Sequence, residues 1–363
     1  MSADLPRPWR VPLLMLAMLS LAAGALAGLV RIGWQAPAPG AASVMDHAVL
    51  MIGAFFGTVI SLERAVALGA LWAYGAPLLA GLGGLALLTG AGDATASALL
   101  SAASLLLLGA SVQVFLRQRA LHTLTLALGA AAWTAGNLLW LDGAPVTAAV
   151  APWMAFLVLT IAGERLELSR FLPPSPAARW LFSAIVIALL IAMLPGAATV
   201  TAGRALYPAA LLALALWLLR QDIARRTVRE HGLTRFIAIC LLAGYAWLAI
   251  GALILLTTGG ILPGTTAYDA GLHAVMLGFV FSMVFGHAPI IFPAVLGLRL
   301  PYHAMFYVPL VVLHLSVLIR VAGTLAGAAQ VRSSGGMLNA VALALFVLGM
   351  IVSIIRGQRA SRA

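Results

Sequence analysis

Apolar residues fill the chain in long stretches, and polar residues gather in the short gaps between them. Twelve such stretches can be read, at about 10–31, 44–68, 70–90, 94–116, 121–141, 145–166, 178–197, 203–220, 233–258, 268–293, 302–325 and 335–356. Each approaches the roughly 20 residues a helix needs to cross hydrocarbon. Alternation at period two is missing, which argues against a β-barrel, and backbone groups in lipid must be satisfied within each span. The pattern predicts an all-α membrane protein of about twelve transmembrane helices, a single polytopic domain over 1–363 with no room for a soluble domain. The first stretch contains "LAAGALAG", small residues of the kind that end a signal peptide. Its length and the spans that follow it predict a retained helix.

Composition agrees: 63% of the 363 residues are hydrophobic and 9% charged, more apolar surface than a soluble domain can hide. The net charge of +11 would fit nucleic acid, but its placement does not. All 21 basic residues are arginines. With the N-terminus inside, seventeen of them fall on the inner side, and only Arg31, Arg204, Arg320 and Arg332 on the outer half. That bias predicts a bacterial cytoplasmic (inner) membrane protein with both termini cytoplasmic, whose partner is the lipid bilayer and not nucleic acid. The basic loop "RQDIARRTVREHGLTR" (220–235) reads as a topology and lipid-contact signal, or as a docking site. The single cysteine, Cys240, excludes a disulfide framework and covalent haem attachment, and reads as core.

The chain also resembles itself. "AFFGTVISLER" (54–64), "AFLVLTIAGER" (155–165) and "GFVFSMVFGH" (278–287) lie four segments apart, which predicts three pseudo-repeats of four helices, approximately 1–116, 121–220 and 233–356. The second and tenth segments also share a histidine at their start, in "HAVLMIG" (47–53) and "HAVMLG" (273–278). His47 and His273 are thereby expected at similar depth towards the outer face. His287 follows His273 by fourteen residues, nearly the same helix face and ~21 Å deeper. His303 and His314 share a face of the eleventh segment, ~16 Å apart in depth, with His303 near the level of His287. His122 opens the fifth segment, also on the inner side.

A polar group at membrane depth faces the bundle interior or a cavity, where it either hydrogen-bonds a neighbouring helix or serves a site. Neutral imidazole is a common ligand for haem iron and copper. The expectation is that His47 and His273 hold one b-type haem, with His287 and His303, and His122 or His314 beside them, as candidate copper ligands. Gly53, Gly271 and Gly278 leave room for a macrocycle or allow close helix packing. Arg320 needs an anion; a haem propionate, Asp46 and Asp269 are the candidates.

Twelve helices with termini inside, and histidines opening the second and tenth, resemble subunit I of haem–copper oxidases. "HAVMLGFVFSMVFGH" followed by a proline-containing exit, with "HAVLMIGAFFG", is similar to the NnrS family of haem- and copper-containing membrane proteins linked to nitric oxide stress. The resemblance implies that His47 and His273 match the low-spin haem pair. It also implies a small gaseous or redox ligand, with no electron donor specified. The sixth and seventh segments carry none of the oxidases' copper histidines, so any redox activity is not oxygen reduction of that kind.

Glu63–Arg64 and Glu164–Arg165 read as ion pairs fixing helix ends, or as proton-uptake carboxylates; no polar column follows them. Asn137, Trp133 and Trp140 read as packing and interface anchors. The alternative function is a secondary transporter with an internally repeated bundle. Its helix-break candidates, Pro195–Gly196, Pro208 and Pro289–Pro293, lie near predicted helix ends.

Overall fold

The computed structural model describes residues 4–35, 44–168, 174–194, 196 and 201–360. Pro195, and Arg170 and Arg362 among the seventeen arginines expected inside, lie outside the described residues. Among the described residues the chain is helical without strands. The principal helices are α1 (Arg7–Arg31), α2 (Val49–Leu68), α3 (Leu71–Leu88), α4 (Asp93–Arg117), α5 (Leu121–Leu141) and α6 (Val146–Leu168). They continue as α7 (Pro176–Ile191), α8 (Thr201–Gln221), α9 (Gly232–Thr257), α10 (Thr266–Leu296), α11 (Ala304–Leu325) and α12 (Ala329–Ala360). Eleven are long and apolar enough to cross a membrane. The exception, α7, has 16 residues and is apolar but only about 24 Å long.

The ends follow local rules. Ser175 caps α7 by accepting from the Ala178 N–H, and Thr265 caps α10 through the Tyr268 N–H. Gly69 ends α2 at φ +64, a left-handed conformation that costs glycine nothing. Pro293 lies within the last turn of its helix, which ends at Leu296, close to the expected end at about 293; a proline removes one backbone hydrogen bond, and the last turn of α10 tolerates the loss. Pro208 likewise sits inside α8.

The chain forms two compact units, Met1–Glu164 with Val295–Gly297, and Arg165–Ala294 with Leu298–Ala363. In the first, α1 packs on α2 and α3, α3 on α4, and α4 on α5. Its centre holds Trp133 stacked on Phe156, with ring centroids 5.0 Å apart. Asn137 donates to the Leu100 carbonyl at 2.9 Å and accepts from Trp153 Nε1 at 2.9 Å, joining α4, α5 and α6. Asn137 and Trp133 are thus packing residues, as expected. Trp140 is buried against Trp153, so it is no interface anchor.

In the second unit α7 packs on α8, α8 on α9, α9 on α10, and α11 on α12. A Cβ on Gly271 would lie 2.6 Å from Leu255, and Gly278 is pressed against Trp247. In the first unit, Gly53 faces Leu100. All three glycines therefore serve close helix approach, and none leaves the macrocycle space considered above.

Two helices are not uniform. In α2, residues Val49–Phe56 form a π-helix beginning two residues after His47, and in α10 residues Ala274–Phe281 form one directly after His273. π segments are rare and frequently mark functional sites. The third member of the sequence repeat, α6, is α-helical throughout, so this feature belongs to the histidine-bearing helices alone.

Candidate functional site

His47 stands at the head of α2, where Nδ1 lies 2.7 Å from the Gly24 carbonyl on α1. A carbonyl only accepts, so Nδ1 carries the proton and Nε2 presents its lone pair. One turn along α1, Gly28 touches the ring: a Cβ there would lie 2.7 Å from Cε1. The stretch "GALAG" (24–28) is thus the cradle of this imidazole, with both glycines on one face of α1. The neighbouring Asp46 carboxyl is raised above its ordinary range, first by burial and then by the Asp93 charge.

His273 repeats the arrangement within its own helix. Its Nδ1 lies 2.7 Å from the Asp269 carbonyl and 3.1 Å from the Asp269 carboxylate. Both are acceptors, so the proton is again on Nδ1. Nε2 accepts from the Arg320 guanidinium at 3.0 Å. Arg320 also stands 3.7 Å from Asp269, and Thr324 donates to the Arg320 carbonyl at 2.8 Å. Asp269, one of the anions considered for Arg320, stands beside it. With its side chain 9% exposed, Arg320 points inward between α11 and α10 and not into lipid.

The remaining histidines divide. In α10, His287 donates Nδ1–H to the Met283 carbonyl at 2.7 Å, and its buried Nε2 has no hydrogen-bond partner among the described residues. His314 has the opposite tautomer: its Nδ1 accepts from Trp247 Nε1 at 3.0 Å, so the proton sits on Nε2. His303 is exposed and caps the start of α11, its Nδ1 accepting from the Met305 N–H at 3.1 Å. His122 is half-buried at the start of α5. His287 faces the Arg165 and Asp222 charges, whereas His303 opens onto an apolar cleft. Among the described residues no group of three or more His, Cys, Asp or Glu side chains could hold a metal ion.

One cluster escaped the sequence reading. Arg165 grips Asp222 with two hydrogen bonds, at 2.7 and 3.0 Å, and the two side chains are 4% and 1% exposed. Tyr245 donates to the same carboxylate at 2.7 Å, and the Ala224 N–H at 2.7 Å. Asp222 thus accepts four hydrogen bonds and ties α6, α9 and the turn after α8 together. Arg165 is an ion-pair anchor as expected, but its partner lies 57 residues away and is not the adjacent glutamate. A paired aspartate inside a loop read as purely basic was the available signal.

A family model described as "Domain of unknown function (DUF8744)" matches residues 10–355. No curated protein matches the chain.

Proposed function

We propose one function for the whole matched span, on the premise that the chain belongs to the DUF8744 family. The protein binds haem in the bacterial cytoplasmic membrane, with its helices arranged as three sets of four and both termini inside, and serves the nitric oxide response or a related redox task. His47 and His273 would hold the haem, through Nε2. The observation that carries this reading is their shared state. Each stands just before a π-helical segment, and each has Nδ1–H fixed by a main-chain carbonyl. A hydrogen-bond acceptor on one ring nitrogen is what orients a metal-ligating imidazole and raises the basicity of the other. Asp269 adds the carboxylate that such ligands commonly have behind them.

The residues fit haem in donor chemistry. Arg320 holds Nε2 of His273, so binding requires the guanidinium to give way, and a propionate is the anion suited to receive it. When bound, the haem supplies a one-electron centre and an iron that small gaseous ligands seek. Copper does not fit equally well: His303 and His314 accept at Nδ1 and so carry their proton on Nε2, and among the described residues no group of three or more ligating side chains includes His287.

A secondary transporter is the second reading, favoured by the Asp269–His273–Arg320 cluster inside a span, since intramembrane charges mark ion routes. The absorption spectrum of protein purified from haem-replete cells separates the two. The haem reading expects reduced-minus-oxidised bands of a low-spin b-type centre. A spectrum without visible bands overturns it in favour of transport.

A further inference from the structure

At the arginine-rich end of α12, a cleft of about 250 Å³ opens between this helix and the start of α11. Its α12 wall is Leu345, Leu348, Gly349, Val352, Ser353 and Arg356, spaced as a single helix stripe. The opposite wall includes His303, Met305 and Val308. Leu348, Val352, Met305 and Val308 are all more than 40% exposed, so the apolar walls have no cover within the chain.

Two features give the cleft polarity. Arg356 at its mouth is exposed and has no ion pair among the described residues. His303 faces the same mouth; because its Nδ1 accepts from Met305, its Nε2 carries a proton to donate. A third feature gives depth. A Cβ on Gly349 would meet only Phe306, at 3.8 Å, an ordinary contact. Helix packing therefore does not demand this glycine, unlike Gly278 against Trp247, and the missing side chain opens the floor of the cleft.

We propose that this cleft is a binding site for an anionic phospholipid of the adjacent leaflet. Arg356 and the His303 Nε2–H take the phosphate, and an acyl chain lies over Gly349 between Leu345, Leu348 and Val308. Charge complementarity selects the occupant. A cation sits where apolar walls meet the polar boundary, and basic sites between membrane helices suit anionic headgroups. This assignment does not depend on haem.

Native mass spectrometry of the detergent-solubilised full chain tests it, titrating phosphatidylglycerol against phosphatidylcholine. The wild type should retain phosphatidylglycerol preferentially. Arg356→Gln should cut that preference about fivefold, the worth of one basic residue at a lipid surface. Gly349→Leu, which fills the floor, should abolish retention of both lipids. Gly349→Ala, which fits without a clash, should keep the fold and weaken retention. Equal retention of the two lipids by the wild type overturns the proposal. So does unchanged retention in a Gly349→Leu protein of wild-type helicity. A chain dimer that Gly349→Leu dissociates would overturn it as well, by assigning the cleft to a second copy.

Discussion

The acceptor placed against each Nδ1 decides what an imidazole in this chain can do. His47, His273 and His287 donate from Nδ1 to carbonyls and keep the lone pair on Nε2, which in His273 Arg320 already engages, whereas His314, accepting from Trp247 at Nδ1, carries its proton on Nε2. Types and positions of these residues were legible in the sequence, but their tautomers were not, because the deciding partners are main-chain atoms or distant side chains. Arg320 was legible as an inward cation, and Asp269 only as one candidate among three. Arg320→Leu should lower haem retention or shift the midpoint potential, and Arg320→Lys should restore only part, since lysine lacks the planar fork. Wild-type occupancy and potential in the leucine variant would leave Arg320 purely structural. Asp222 was missed because its partner is remote in sequence. Arg165→Leu strands its buried carboxylate and should cost about 3–5 kcal/mol in reversible unfolding. Tyr245→Phe, which removes one charge-assisted hydrogen bond, should cost about 1.5–3 kcal/mol. A loss well below 1 kcal/mol for Arg165→Leu would show that water reaches Asp222.

Helices were the best-read level, because uninterrupted hydrophobicity leaves a backbone in lipid no alternative. All twelve predicted segments appear as helices, most ends within a few residues of expectation. The π segments in α2 and α10 were invisible, since an extra residue in a turn leaves no mark on a uniformly apolar run. The contribution of α1 to the site was not read. "LAAGALAG" was expected to be part of a retained helix, as it is, and within it Gly24 and Gly28 hold the His47 ring. Gly28→Ala places a methyl group against Cε1 and turns the ring, with little effect on helicity. Haem affinity should fall about tenfold or more, as when other orienting contacts of a metal ligand are lost. Spectroscopic titration of the haem-depleted variant measures this, and unchanged affinity would detach α1 from the site.

At the scale of the molecule, the arginine distribution is expected to orient the chain with the 220–235 loop inside. In a Cys240→Ser background, a cysteine at Arg226 should react with an impermeant maleimide only in inverted vesicles, and one at Thr265 only in right-side-out cells. The opposite pattern would reverse the topology. Of the three segments that carry the sequence repeat, α2 and α10 share a π segment among the described residues and α6 does not. The central claim is haem ligation by His47 and His273. It is tested most directly by low-temperature electron paramagnetic resonance of the oxidised wild type beside His47→Ala and His273→Ala. The account predicts a low-spin bis-imidazole signal in the wild type, replaced by a high-spin signal or lost in each variant. A full low-spin signal in both alanine variants would contradict it.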